Sequence, residues 1–396
     1  MDKNIKPVIV VLAYNRPKSL VRLLESISKA DYPVKAKLII SLEGGATNEV
    51  IRISNQFHLN NLDKSIIKRS EKLGLRKHIL ICGDLVKEYG AVIILEDDLI
   101  VDKYYYRFAC DSLKFYKDDT SIAGIALYSH EYNQFSNLPF RPMINGYATY
   151  PMQLPCSWGQ CWTDKQWFTF KDWYEGKTNS DLDKIIGLPD QVKAWPDSSW
   201  KKFFHGYIVE EKLYFMYPYE SYSTNCSDEG GTHITEGSNA HQVKMATALR
   251  PYFSMNFCPS LNNEVSYDAF MEPDGNFVFS SLGIDRENIT IDVQGIKSMN
   301  LLLKKDFVIT SKPADNILKY YNLKFKPIEF NFLSVSEEKS DIFLVKVNDL
   351  KSEKPKHSYN FYAYWTEMNL LNLTYLLAFL RKAVSKAIHK FSFATD

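Results

Sequence analysis

Residues 92–108 read VIILEDDLIVDKYYYRF, an apolar run that climbs into three consecutive carboxylates, Glu96, Asp97 and Asp98, and then turns apolar again. Carboxylates crowded at one point raise one another's pKa, so they must either hold protons or share a cation. A hard divalent ion, Mg2+ or Mn2+, relieves the crowding. It takes one or two protein carboxylates and fills its other positions with water and the phosphate oxygens of a substrate. Side chains alternate along extended backbone, which puts Glu96 and Asp98 on one face and Asp97 on the other. On this reading Asp98 holds the metal, Asp97 contacts a nucleotide ribose or reaches the metal through water, and Glu96 belongs to the same binding group. The plainer alternative is that the acids solvate a strand end and cap the following helix, YYYRFACDSLKFY, with Asp102 the better cap.

The elements that must position these acids are legible upstream. PVIVVLAY (7–14) is a continuous β-rich run, as expected of a parallel strand covered on both faces. NRPKSLVRLLESISKA follows with a polar loop, a proline near the helix start, and Leu20, Leu23, Leu24 and Ile27 at helical spacing. AKLIISLEGG is a second strand closed by two glycines, and ATNEVIRISNQFH a second helix. RSEKLGLRKHILICGDLVKEYG then supplies a loop and a third helix leading into AVIILEDD. Alternating strands and helices predict an α/β fold, a Rossmann-like, mostly parallel sheet flanked by helices with right-handed crossovers. Ligands of such sheets bind beyond the carboxyl ends of the strands, which points at Tyr14 to Arg16, Glu43 to Gly45 and Glu96 to Asp98.

Several function classes lose ground here. There is no GxGxxG after the first strand and no GxxxxGK[ST] anywhere, so redox dinucleotides and P-loop chemistry are disfavoured. A net charge of +1 implies no nucleic-acid partner. Aromatic residues, 14% of the chain, suit sugar stacking or simply a core. Six cysteines without CxxC spacing predict free thiols rather than a zinc site. The short apolar run near the start is neither signal peptide nor membrane span, giving the expectation of a cytoplasmic protein.

Taken together, YNRP after the first strand, an acid and glycine after the second, the loop KLGLRKHI, and LEDDL as a variant of the DxD motif resemble a glycosyltransferase of the GT-A fold. The pattern is most similar to the N-acetylglucosaminyltransferase I type and its bacterial relatives, over roughly residues 5–240. The resemblance implies a nucleotide-sugar donor, usually a UDP-sugar, with Ala13, Tyr14, Asn15 and Arg16 lining the base and phosphate pocket. It places Glu43 where the family commonly has an aspartate on uracil or ribose. Arg76 matches a basic position near the diphosphate, and Asp98 the direct metal ligand.

Inverting transfer also needs a carboxylate to take the acceptor hydroxyl's proton. LPCSWGQCWTDKQWFTFKDWYEG (154–176) resembles the family's segment that closes over the donor and positions the acceptor, which makes Trp158 and Trp162 candidates for stacking on sugar faces, or else core tryptophans. KAWPDSSWKKFFHG resembles the segment carrying the base, with Asp197 first and Asp164 and Asp172 as rivals. In the glycine-rich stretch 217–237 the resemblance makes His233 a further metal ligand. His130 and Glu131 begin an HExxH pattern, but position 134 is Gln.

The expected organisation is a GT-A domain over 1–260, a small β-rich accessory domain over 261–355 and a helical tail over 356–396. SLNNEVSYDAFMEPDGN reads as a linker, and FVFSSL, NITIDVQGI, DFVITS, IEFNFLSV and DIFLVKV as short β-rich runs of a domain that recognises acceptor or mediates homo-oligomerisation. Residues 368–391 fit a basic amphipathic helix, either docked on protein or lying at the inner face of the cytoplasmic membrane. The function so implied is metal-dependent transfer of a sugar to a glycan or glycolipid acceptor in bacterial surface polysaccharide or lipopolysaccharide synthesis. A sugar-nucleotide nucleotidyltransferase, a non-catalytic carbohydrate-binding protein and an inactive transferase are the competing readings.

Overall fold

A computed structural model describes residues 5–228, 241–245, 256–260 and 264–366. Val8 to Ala13 are all buried because the strand they form, β1 (Val8–Ala13), has apolar neighbours on both faces and a parallel strand on either side. Those neighbours are β2 (Ala36–Leu42) and β4 (Ala91–Glu96), with Val10 level with both Ile39 and Ile94. Beyond β2 lies β3 (Leu62–Lys68), in parallel register over seven residues. The sequence reading placed no strand there, because LDKSIIK is a half-exposed edge strand and lacks a continuous apolar run.

β5 (Leu99–Val101) leaves the main sheet, and β6 (Ile122–Ala126) rejoins it. A small hairpin follows, β7 (Tyr132–Asn133) with β8 (Leu138–Pro139). Then come β9 (Thr149–Met152), β10 (Gln160–Thr163), β11 (Tyr214–Pro218) and β12 (Ser223–Asn225). The eight-stranded order is β3-β2-β1-β4-β10-β6-β11-β9, in which only β10 and β9 run against the rest, and β12 pairs antiparallel with β5.

The faces of this sheet are covered by helices. On the chain's first half these are α1 (Pro17–Ser28), α2 (Asn48–Gln56), α3 (Leu75–Gly83), α4 (Val86–Tyr89) and α5 (Tyr105–Tyr116). Leu20, Leu23, Leu24 and Ile27 of α1 are buried, as their spacing requires. Asp102 stands two residues before the α5 cap, Tyr104, and accepts that residue's backbone N–H at 2.8 Å. After β10 come α6 (Asp164–Tyr174), α7 (Asn179–Lys184), α8 (Asp190–Lys193) and α9 (Trp200–Glu210).

A second, five-stranded sheet is built from β13 (Ile289–Asp292), β14 (Phe307–Thr310), β15 (Lys319–Tyr321), β16 (Val335–Ser336) and β17 (Ile342–Lys346). It carries α10 (Asn276–Leu282), α11 (Met299–Leu302) and α12 (Tyr359–Thr366). Two of the expected β runs are therefore different. FVFSSL is the body of α10, closed by Gly283 at φ 66°; a six-residue run with four apolar positions suits helix or strand, and the left-handed glycine decides it. IEFNFL is a 3-10 turn, because the Asn331 side chain accepts from Lys324 and Phe325 N–H and donates to the Phe325 and Ile328 carbonyls, curling the segment. The stretch read as a linker is packed where it is described: Val265, Tyr267 and Met271 join Tyr150 and Met152 in the core of the first sheet.

Candidate active site

The carboxyl ends of β1, β2 and β4 come together as their register demands, with Leu12 level with Glu96 and Ala13 level with Leu42. Between them is an open pocket of about 200 Å3, lined by Ala13, Tyr14, Asn15 and Arg16 from β1 and its loop, Glu43 after β2, and Glu96 and Asp97 at the end of β4. Seven of the residues expected to bind a nucleotide thus share one cavity. The eighth, Arg76, lies with its guanidinium 5.0 Å over the Phe203 ring of α9 instead. Besides Arg16, the pocket wall carries the cation Lys72, whose ammonium lies 5.2 Å over the Tyr14 ring.

Strand alternation does not carry through the triplet. β4 ends at Glu96, and Asp97 and Asp98 form the turn before β5, so both turn their carboxylates to the same cation. Arg16 donates to Asp97 Oδ1 with one nitrogen and to Asp98 Oδ2 at 3.1 Å with the other. Burial works against the guanidinium charge, and the two carboxylates outweigh it, holding Arg16 firmly protonated. Asp97 is pushed up to about 6, burial exceeding the pull of Arg16. Glu96 is pushed up too, by burial and then by Asp98.

Glu43 is held rather than free. Its Oε1 accepts from the Gly44 and Leu73 backbone N–H groups at 2.9 and 2.8 Å, which pins the KLGL loop beneath the pocket. Its Oε2 lies 3.6 Å from His78 Nδ1, and His78 Nε2 meets Ser41 Oγ at 2.8 Å. Burial pushes His78 down to about 4 despite Glu43, so the ring is neutral at pH 7. Gly44 is required here: a Cβ would fall 2.1 Å from the Glu71 backbone.

The fit of a divalent ion rests on Asp98. Its Oδ1 is buried and accepts no hydrogen bond, a free carboxylate oxygen of the kind such an ion takes as one protein ligand among waters and phosphate oxygens. Among the described residues no group of three or more His, Cys, Asp and Glu side chains could hold a metal alone. His233 lies outside the described residues, as does the tail 368–391. Among the described residues no helix is long and apolar enough to cross a membrane.

The other side of the Glu96 tip is built by β10 and α9. Gln160 pairs with Ile94, and continuing that antiparallel register brings Trp158 level with Glu96. Trp158 is half-buried among Tyr128, His130 and His241. Trp162, four residues on, is 0% exposed and packs on Trp167, Trp200 and Phe204, so it is a core residue with no face to offer a sugar. The α9 helix begins at Ser199, whose hydroxyl accepts the Lys202 N–H, and its first turn directs Lys201 toward Glu96 and Trp158.

The three candidate bases are dispersed. Asp197 lies in the loop entering α9, its side chain 74% exposed and 3.7 Å from Lys202 Nζ. Asp164 opens α6 behind the Thr163–Gln166 capping box, and its N–H bonds the Gly90 carbonyl. Gly90 precedes β4, so Asp164 sits at the amino end of the sheet, opposite the pocket. Asp172 is exposed on the same helix, next to Trp173, which bonds Glu210 at the far end of α9. Neither α6 residue is brought to the carboxyl ends. The sequence reading missed Lys72, His78 and Lys201. The signal for Lys201 was its place inside WKKFF, a lysine pair enclosed by aromatics at a helix start.

No protein-family model matches the chain, and no curated protein matches it. Among solved structures it is similar to a mannosyltransferase from Pyrobaculum calidifontis in complex with GDP-Man and Mn2+, at 12% identity over 58% of this chain and 59% of that one, with a TM-score of 0.37. It is similar to S. aureus TarS 1–349, at 16% identity over 54% of this chain and 60% of that one, TM-score 0.34. A nucleoside-diphosphate-sugar pyrophosphorylase from Vibrio cholerae gives 10% identity over 55% of this chain and 95% of that one, TM-score 0.36. The chain spans less than two thirds of the length of the first two.

Proposed function

We propose that this chain is a metal-dependent glycosyltransferase that moves a sugar from a nucleotide donor, a UDP-sugar, to a glycan or glycolipid acceptor with inversion. The observation that carries the reading is the pair Asp97–Asp98, bridged by Arg16 and retaining one free buried oxygen, at the strand ends beside a pocket lined by Ala13 to Arg16 and Glu43. Asp98 would hold Mn2+ or Mg2+, which when bound stabilises the charge of a departing diphosphate.

The remaining work falls to the chain's own groups. Glu43, fixed by two backbone donors, presents a rigid acceptor wall to a ribose or base. Tyr14, braced by Lys72, offers a ring edge at the pocket mouth. Arg16 is poised to exchange a carboxylate for a phosphate, since its planar fork matches both. Asp197 is the proposed base, because its loop leads directly into the turn carrying Lys201 to Glu96.

The test is thermal unfolding of the full chain with UDP, UDP-N-acetylglucosamine, UDP-glucose and GDP-mannose, each with and without Mn2+. Selective binding at a hundred times Kd stabilises by about 2.7 kcal/mol. A shift requiring nucleotide and Mn2+ together supports the reading; no shift with any pair overturns it. Pyrophosphate-dependent formation of a nucleoside triphosphate would identify a nucleotidyltransferase instead.

A further inference from the structure

Lys201 is 8% exposed, and its ammonium makes no hydrogen bond or salt bridge among the described residues. It stands 5.5 Å over the ring of Trp158 and 5.5 Å over that of Trp195, both half-buried. Burial pulls its ammonium down to about 8 from an ordinary 10.5, opposed by the buried Cys156 thiol and then by Glu96, neither at ion-pairing distance. Its nitrogen is not among the fully buried unbonded atoms, so in the free protein water is what it meets. Two indole rings attract it. The helix does not, since a cation in the first turn of α9 meets the positive end of the dipole. The neighbouring Lys202, in the same turn, is by contrast satisfied by the Trp195 carbonyl and Asp197.

The surroundings repeat the pattern. His130 stands 5.7 Å from Trp158, is 3% exposed, and keeps a buried Nε2 with no hydrogen-bond partner. Burial, with Lys201 next in effect, keeps the His130 ring neutral, so it offers a polar atom and no second charge. An unbonded ammonium, an unbonded imidazole nitrogen and an indole ring therefore meet at Trp158, with Trp195 on the other side of the ammonium and none of the four in the lining of the nucleotide pocket. The half-buried indoles give a sugar ring apolar surface to lie against, and the ammonium asks for an anion.

We propose that Lys201 makes this end of the site selective for an acceptor sugar bearing a negatively charged substituent, a carboxylate or a phosphate, held by the ammonium beside Trp158 and Trp195. The proposal rests on the glycosyltransferase reading for the word acceptor, but the anion preference can be measured without turnover.

The test is ligand-observed NMR titration of the full chain with glucuronate, glucose 6-phosphate and glucose, in the presence of UDP and Mn2+ and again without them. The wild type is expected to bind at least one anionic probe about tenfold more tightly than glucose, the margin of one charge-assisted hydrogen bond. Which probe wins distinguishes carboxylate from phosphate. Lys201→Met should bring that probe down to the affinity of glucose, while Lys201→Arg keeps most of the preference. Equal binding of the three sugars by the wild type, or no binding of either anionic probe, overturns the proposal even if Lys201→Met fails to fold. So does a folded Lys201→Met that keeps the preference. The UDP–Mn2+ thermal shift separates the two ideas. Its absence together with an intact anion preference removes the donor reading and leaves the Lys201 site standing.

Discussion

Two cations in this molecule each organise three carboxylates, and only one of the two cations itself lines a cavity. Arg16 gathers Asp97 and Asp98 beside Glu96 at the strand ends of the first sheet. Lys297, 2% exposed, pairs with Asp268 and feels Glu272 and Asp292 near the second sheet. In the second group backbone donors are nearly saturating. Asp268 Oδ1 accepts from Phe270 and Glu272, Glu272 Oε1 from Gln294, and Asp292 Oδ1 from Ile296 and Lys297. Each group leaves one fully buried oxygen without a donor, Asp98 Oδ1 and Asp292 Oδ2, so an orphan atom does not separate function from structure. What separates them is access to the cation: Arg16 lines its pocket together with Glu96 and Asp97, whereas Glu272 borders a second cavity whose lining does not include Lys297, and the Lys297 group ties residues 268–272 to the β13 strand. A carboxylate cluster becomes a candidate for chemistry when its cation can be exchanged.

The largest test of that contrast is Asp98→Ala. Mn2+-dependent hydrolysis of a UDP-sugar should fall roughly a thousandfold, the scale of losing one preorganised charge in a reaction site, with the unfolding midpoint in urea nearly unchanged. Mn2+-dependent thermal stabilisation by UDP should vanish in the same protein. Hydrolysis at the wild-type rate would make the two groups alike. Lys297→Met should do the reverse. It leaves three buried carboxylates without their cation and is expected to cost about 3 kcal/mol in urea unfolding, while UDP affinity of the folded fraction stays the same; a variant as stable as the wild type would show that the backbone donors suffice alone.

A smaller effect concerns a carboxylate with no cation at all. Glu329 Oε1 accepts from Tyr267 Oη at 2.6 Å, its buried Oε2 has no partner, and burial pushes it up to about 7 from an ordinary 4.5. Between those values the folded chain binds the extra proton, so stability falls as pH rises through this window and is flat above it. Glu329→Gln should therefore match the wild type near pH 5 and exceed it at pH 8, by up to roughly 3 kcal/mol. A constant difference across that range would mean the carboxyl ionises freely.

Much of the first sheet was legible because its signals are local. β1, β2 and β4 are continuous apolar runs, α1 has its leucines at helical spacing, and the rule that ligands gather at strand ends picked out the pocket from Tyr14, Glu43 and Glu96. β3 was illegible because an edge strand needs no apolar run, and α10 because a six-residue run with four apolar positions carries too little periodicity. Within the site, the bridging of Asp97 and Asp98 by Arg16 depends on where β4 stops, which alternation alone does not reveal. Trp158 and Trp162 look alike in sequence; the reversed direction of β10 sends one to the open tip and the other into the core. Lys201 was passed over because lysine is so rarely buried.

That reversed strand also separates two inheritances. Everything that would grip a nucleotide comes from loops following parallel strands, whereas the segment ahead of β10, residues 153–159, arrives at the same tip from the opposite direction and is anchored elsewhere, by Ser223 on the Trp158 carbonyl and by Leu127 on that of Gly159. On the proposed reading, a graft of this one segment would change the acceptor preference while leaving the nucleotide side untouched.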